Sequence, residues 1–178
     1  MIIRKAQPTD ASAIAKVHVD SWRTTYAGII PADFLATLSY ERREASWRET
    51  LAAPDSSRFT IVAEDAKGEI VGFASGGPER EGDPLYQGEL YAIYLRQSQQ
   101  RQGLGRQLTA AVVERLLQRG LPSMLVWVLA DNQSARAFYE TLGGQPLNHE
   151  KELTIGGASL IEVAYGWSDI HSLATLRQ

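Results

Sequence analysis

Residues 90–105 read Leu-Tyr-Ala-Ile-Tyr-Leu-Arg-Gln-Ser-Gln-Gln-Arg-Gln-Gly-Leu-Gly, and an amphipathic run follows from Arg106 to Arg119. The pattern predicts an apolar strand, a polar turn and a helix whose first-turn amides have no partner within the helix. The helix dipole adds roughly half a positive charge at those amides. Gly103 and Gly105 carry no side chain that would keep an anionic group from the backbone. This stretch therefore predicts a pyrophosphate site at the start of the helix.

The composition limits the classes of protein to which the chain can belong. Its 178 residues are 44% hydrophobic and 22% charged, as in an ordinary folded domain. We expect one domain over residues 1–167 and a C-terminal tail over 168–178 that has no clear pattern and frays. A net charge of −3 argues against a nucleic-acid partner. With no signal peptide and no apolar stretch of spanning length, we expect a cytoplasmic protein without a membrane partner.

The pattern along the chain predicts an α/β (α+β) fold with a mixed sheet and helices on both faces. Asp10 and Ser39 are the expected caps of two N-terminal helices, and a short helix follows Pro31. A turn-rich loop is expected over 53–57. Gly156 and Gly157 separate two runs that predict a final β-hairpin. The predicted strands cover 2–5, 59–64, 70–75, 89–95, 124–129, 151–155 and 158–167.

Three kinds of phosphate-binding motif compete for the glycine turn. A P-loop requires a lysine and a hydroxyl after its second glycine, and this chain has neither there. A dinucleotide-binding fingerprint requires a third glycine where this chain has Leu108, and the preceding hairpin fits that fold badly. The third motif, Gln100-x-x-Gly103-x-Gly105 after an apolar strand, fits.

The third motif resembles the acetyl-CoA motif of the GNAT superfamily of N-acetyltransferases. A second stretch, Asn132 to Gly143, resembles that family's signature N-x-x-A-x-x-x-Y-x-x-x-G. Two motifs in the right order are far more specific than either alone, and the resemblance covers roughly residues 59–165. It implies a GNAT-type, mostly antiparallel central sheet of about seven strands, flanked by helices on both faces.

The resemblance also implies how acetyl-CoA binds. The strand backbone would pair with the pantetheine arm, the turn amides would hold the pyrophosphate, and one asparagine would bond the arm or simply cap its own helix. The implied cofactor-binding residues are Ile93, Tyr94, Leu95, Arg101, Gln102, Gly103, Leu104, Gly105, Arg106 and Asn132. Leu104 could instead be a core residue. Arg101 and Arg106 could instead be solvated residues at the end of the helix.

Two residues are the catalytic candidates. Tyr139 occupies the position of the family's tyrosine, which protonates the departing thiolate; the alternative is a buried aromatic residue. Glu89 lies where the histone-acetylating branch carries its glutamate, and it would deprotonate the incoming amine; the alternatives are an exposed edge-strand glutamate or a water relay. Some bacterial relatives carry a glutamate on the next strand, where this chain has Trp127.

The expected function is acetyl transfer from acetyl-CoA to a primary amine of a small molecule, polyamine or peptide. Attack would be direct, because no cysteine exists to carry an acyl intermediate. Trp22 and Tyr26 are candidate residues of the acceptor pocket. No metal is expected, since the three histidines lack ligand partners at metal spacing, and a homodimer is an option because dimers are common in the superfamily. The alternatives are a non-catalytic acyl-CoA-binding sensor or scaffold and, less favoured, a nicotinamide-dependent oxidoreductase. The sequence leaves the acceptor's identity open.

Overall fold

The computed structural model describes residues 1–53 and 57–177. Most of the loop predicted over 53–57 lies outside these residues, as does the last residue of the predicted tail. The strands are β1 (Ile2–Lys5), β2 (Phe59–Glu64), β3 (Ile70–Pro78), β4 (Gly88–Leu95), β5 (Met124–Leu129), β6 (Gln145–Ile155) and β7 (Ala158–Trp167). The helices are α1 (Ala11–Thr25), α2 (Ala32–Ala36), α3 (Tyr40–Ala52), α4 (Leu104–Leu117) and α5 (Gln133–Thr141). Short 3-10 turns cover Pro8–Asp10, Gln97–Gln99 and His171–Arg177.

The seven strands form one sheet in the order β1-β2-β3-β4-β5-β7-β6. Every neighbouring pair is antiparallel except β4 and β5. These two are joined in parallel by the pairs Gly88↔Met124 and Glu89↔Leu125, and no further pair joins them within the described ranges. The predicted fold class is confirmed, and the two central strands separate after their first residues.

Helices cover both faces of the sheet, because alternate strand residues belong to different cores. In β2, Val62 packs with α1 and α3, whereas Ile61 lies in the larger core beneath α4. In α4, Leu108, Val112 and Leu116 are fully buried, as their four-residue spacing predicts.

Several local predictions can be compared with the structure. The Ser39 hydroxyl accepts a hydrogen bond from the Arg42 amide, so Ser39 caps α3 as predicted. The expected Asp10 cap is wrong: the Asp10 carboxylate instead binds the Arg4 guanidinium at 2.7 Å. For a buried carboxylate, a paired cation is a stronger partner than helix amides.

The segment after Trp167 contributes to the folded domain, although the sequence shows no pattern there. Its 3-10 turn lies against α4, and Ile170 and Leu173 are buried in the larger core. The expectation that this segment frays is therefore wrong for its described part. None of the helices in the described part of the chain has the length and hydropathy that a membrane crossing requires.

Candidate active site

A cleft of about 1170 Å³ opens where β4 and β5 separate. The strand geometry explains it, since each strand keeps its outer neighbour while the inner edges lose contact beyond Glu89 and Leu125. Most of the sequence-predicted site residues lie together along its wall: Trp22, Tyr26, Ile93, Tyr94, Leu95, Arg101, Gly103, Gly105, Arg106, Asn132 and Tyr139. The cleft thus joins the two sequence motifs in one site.

One end of the cleft is the start of α4. Gly103 precedes the helix with φ of 80°, a left-handed conformation that glycine adopts without steric cost, and no side chain caps the helix. Arg101 adopts φ of 59°, which is uncommon for a residue with a side chain. Within the described residues, no hydrogen bond uses the backbone amides of 101–106. This end is therefore a positively polarised surface of bare amides.

The second glycine of the turn lies in close contact with α5. A Cβ on Gly105 would lie 3.2 Å from the Phe138 ring of α5. The missing side chain lets α4 and α5 approach at the mouth of the cleft. Two other predicted cofactor residues do not line it: Leu104 is buried in the core, and Gln102 is exposed, with its side-chain amide donating to the Ser98 carbonyl. Only their backbone amides remain as groups for a ligand.

The middle of the cleft offers the inner edge of β4. The Leu95 carbonyl there accepts a hydrogen bond from the Ser21 hydroxyl at 3.2 Å. Across the cleft, Asn132 is buried, and its side-chain oxygen accepts from the Ala135 amide at 3.2 Å. The capping role of Asn132 is therefore confirmed.

Three tyrosines meet at the inner end of the cleft. The hydroxyls of Tyr26 and Tyr94 lie 3.1 Å apart. Tyr139 is 5% exposed, and no hydrogen bond to another described residue uses its hydroxyl. Burial, and then the nearby Tyr94, raise the pKa of Tyr139. Tyr139 is thus a neutral phenol with a free donor, although a weak acid.

Glu89 lies apart from the cleft lining. It is 1% exposed, and the Arg80 guanidinium binds its carboxylate, with Nε 3.0 Å from Oε2. The Arg80 backbone amide also donates to this carboxylate. Glu89 is therefore not an exposed edge-strand glutamate, and that alternative is wrong. The role of Glu89 as the base stays a prediction.

Sequence reasoning missed a second carboxylate, that of Glu162. Glu162 lies on β7 opposite Leu129 of β5, is half-buried and lines the cleft. Burial raises its pKa. A glutamate within the apolar run from Leu160 to Ala164 is the available signal in the sequence. The sequence does not show that this glutamate faces the cleft, because the pairing of β7 with β5 decides which face of β7 borders it.

Trp127 forms part of the wall beside Glu162. The ammonium of Lys151 lies 3.7 Å from the centroid of its ring, and Lys151 also pairs with Glu81. The Trp127 indole nitrogen is buried, and no hydrogen-bond partner for it exists among the described residues.

Comparison with known proteins gives consistent results. The sequence matches the model of the acetyltransferase (GNAT) family over residues 18–143. It is 47% identical to YuaI, an uncharacterized N-acetyltransferase of Bacillus subtilis (strain 168), over 98% of this chain and 96% of that protein. The fold resembles the PaiA N-acetyltransferase from Thermoplasma acidophilum in complex with coenzyme A, with a TM-score of 0.72 and 20% identity over 90% of this chain and 96% of that one. It also resembles yncA from Salmonella typhimurium with its cofactor acetyl-CoA, with a TM-score of 0.67 and 23% identity over 94% and 92% of the two chains.

Proposed function

The chain belongs to the GNAT family of acetyltransferases, and from that premise we propose that it transfers an acetyl group from acetyl-CoA to a primary amine. The observation that carries the proposal is the single cleft between β4 and β5. It has bare helix amides at one end and Tyr139, a phenol with a free hydroxyl, at the other. The attack is direct, within a complex of protein, acetyl-CoA and amine.

The residues present fit acetyl-CoA. The cleft volume of about 1170 Å³ exceeds the range of roughly 300–1,000 Å³ that is common for small-ligand pockets, as a long ligand requires. The amides of 101–106 would hold the pyrophosphate, with Arg101 and Arg106 adding charge. The inner edge of β4 would pair with the pantetheine amides as an added strand does, and Asn132 would bond the same arm.

Acetyl-CoA supplies an activated thioester carbonyl, and the surrounding groups favour its transfer. A backbone amide near Leu95 would polarise that carbonyl as charge develops on its oxygen. Tyr139 would donate its hydroxyl proton to the departing thiolate, which eases the loss of the CoA leaving group. Glu89 is the sequence-derived candidate for deprotonating the amine, and the Arg80 guanidinium binds its carboxylate.

A cytoplasmic location, a homodimer, and the absence of nucleic-acid and membrane partners stay predictions from the sequence. The acceptor class is an amine-bearing molecule. Residues 1–53 and 57–177 contain no group of side chains that could hold a metal ion. The proposed roles in binding and catalysis all belong to side chains or backbone groups of the protein.

The test is acetyl-CoA-dependent release of CoA in a screen of primary amines, with Tyr139→Phe alongside. Loss of the phenolic proton should lower kcat by about 100-fold while leaving acetyl-CoA affinity unchanged. Tyr40→Phe is the matched control, because Tyr40 lies on α3 and does not line the cleft. Acetyl-CoA binding without CoA release for any amine would support the non-catalytic module instead, and full activity of Tyr139→Phe would refute its role as the acid.

A further inference from the structure

Glu162 is a half-buried carboxylate on the wall of the cleft, and no hydrogen-bond or ion-pair partner for it exists in the described part of the chain. Its side chain lines the cleft, on the strand that pairs with β5. Within the described residues, no hydrogen bond or ion pair uses its carboxylate, although Lys151 is its register partner on β6. The Lys151 ammonium instead binds Glu81 and lies over the Trp127 ring. A half-buried carboxylate that no protein group binds is available to a cationic group that enters the cleft.

The two carboxylates near the cleft differ in what they have available. Glu89 already accepts three hydrogen bonds from Arg80 and is almost fully buried. These charge-assisted bonds hold its carboxylate against Arg80 and away from a ligand in the cleft. Glu162 has no such bonds to lose, and burial already favours its protonated form. Of the two, Glu162 is the one that faces the ligand space.

We propose that Glu162 binds the ammonium group of the acceptor and takes its proton, and this inference rests on the proposed acetyl transfer. The pocket beside Glu162 also defines the rest of the acceptor. Its wall is aromatic and aliphatic, formed by Trp22, Tyr26, Trp127, Leu129, Leu153 and Ile155. Such a wall favours an apolar body next to the amine, because burying apolar surface is favourable. The acceptor class is therefore a primary amine on an apolar or aromatic body.

The proton balance of the step is complete with these groups. One N–H proton of the ammonium moves to Glu162, which leaves a neutral amine with a free electron pair. That pair attacks the thioester carbonyl carbon, so that a C–N bond forms and the C–S bond breaks. Tyr139 protonates the sulfur and recovers a proton from the nitrogen as it becomes an amide. The proton on Glu162 leaves to solvent, and the net products are the acetylated amine, CoA and one proton.

Glu162→Gln tests the inference, with phenylethylamine as the acceptor and spermidine and glycine as comparison amines. Glutamine keeps the size of the side chain but cannot accept the proton. We expect kcat/KM for phenylethylamine to fall about 100-fold at pH 7, with unchanged affinity for acetyl-CoA. The deficit should shrink as pH rises toward the amine's own pKa, because solvent then supplies the neutral amine. A structural role would give a deficit that does not vary with pH.

The pH profile is interpreted through the charged and titratable groups that face Glu162 from the elements around it. These are Lys151, Arg80, Glu81, Glu89, Tyr26 and Tyr94. All are present in both proteins, so the difference between wild type and Glu162→Gln isolates the one carboxylate.

Two variants serve as controls. Glu150→Gln removes an exposed carboxylate on β6, one residue from the partner of Glu162, and should match wild type. Glu89→Gln compares the second candidate directly. The inference is overturned if Glu162→Gln stays within threefold of wild type, if its deficit is independent of pH, or if Glu89→Gln alone shows the pH-dependent deficit. Preference for spermidine or glycine over phenylethylamine would overturn the acceptor class.

Binding separates this failure from failure of the proposed function. If wild type binds acetyl-CoA but acetylates only amines without an apolar body, the inference about the pocket is wrong and the donor site stands. If the folded wild-type protein does not bind acetyl-CoA, the proposed function fails together with this inference.

Discussion

Acidification should destabilise this protein through one histidine behind the cleft. His18 of α1 lies between aromatic rings: its ring stacks on Tyr94 with centroids 5.1 Å apart, and its Nδ1 accepts a hydrogen bond from the Trp47 indole at 3.2 Å. Burial, and then the charge of Arg43, lower the pKa of His18 to about 3. His18 is therefore neutral in the folded protein throughout the physiological range.

The sign and size of the effect follow from linkage. In the unfolded chain a histidine has a pKa of about 6.5, so below that pH the unfolded state binds a proton that the folded state does not. Stability is unaffected by His18 above pH 6.5 and falls as pH drops from 6.5 toward 3. Each pH unit in that window costs about 1.4 kcal/mol, which gives a loss of about 2 kcal/mol at pH 5.

The assay is urea unfolding at pH 8 and pH 5, followed by circular dichroism, for wild type and His18→Gln. Glutamine can accept the Trp47 hydrogen bond but does not titrate, and other acid-sensitive pairs such as Arg4–Asp10 are common to both proteins. Wild type should lose about 2 kcal/mol more than the variant between the two pH values. An equal loss in both proteins would show that His18 accepts a proton in the folded state, and the argument from burial would be refuted.

Two further predictions concern packing around the second motif. Gly144→Ala places a Cβ 2.6 Å from the Trp167 ring. This overpacking should cost about 1–3 kcal/mol and lower the melting temperature by about 2–4 °C per kcal/mol, with a smaller effect in a Trp167→Phe background. An unchanged melting temperature would contradict the close contact. Tyr165→Phe removes a buried hydroxyl that donates to Glu140 at 2.7 Å and accepts from Arg136 at 3.1 Å. Thermal unfolding should show a loss of about 1–2 kcal/mol, and wild-type stability would mean that this network contributes nothing.

The sequence predicted those parts of the fold that local signals determine. The apolar strand, the two-glycine turn and the amphipathic helix over 90–119 are encoded by neighbouring residues, and so is the hairpin at Gly156 and Gly157, both with positive φ. The 3-10 turn after Trp167 was missed because its buried residues, Ile170 and Leu173, are too few to form a pattern in the sequence.

The candidate site was predicted where a motif carries it and missed where tertiary contacts decide. The turn residues and Tyr139 lie on the cleft because each motif fixes its own helix. The pairing of Glu89 depends on Arg80, which lies in the loop between β3 and β4 and folds back to the start of β4. Glu162 reaches the cleft through the pairing register of β7 with β5, which no local pattern states.

Gly144, directly after the second motif, lies against an aromatic ring of β7. A Cβ at Gly144 would be 2.6 Å from the Trp167 ring, and the Trp167 indole nitrogen donates a hydrogen bond to the Leu142 carbonyl at 2.9 Å. The missing side chain at Gly144 therefore gives the Trp167 ring its place, a contact that no local pattern in the sequence states.

The central claim is that the start of α4 binds the pyrophosphate of acetyl-CoA, and calorimetric titration tests it most directly. Gly103 and Gly120 lie at opposite ends of α4 with φ of 80° and 72°, and a Cβ at either meets no atom within 4 Å. Glutamate at either position therefore carries a similar backbone cost of about 1–2 kcal/mol, but only Gly103→Glu puts a carboxylate beside the bare amides. We predict micromolar binding of acetyl-CoA to wild type and Gly120→Glu, none to Gly103→Glu, and none of NADH or ATP to wild type. Absence of acetyl-CoA binding by folded wild type, or undiminished binding by Gly103→Glu, would contradict the account.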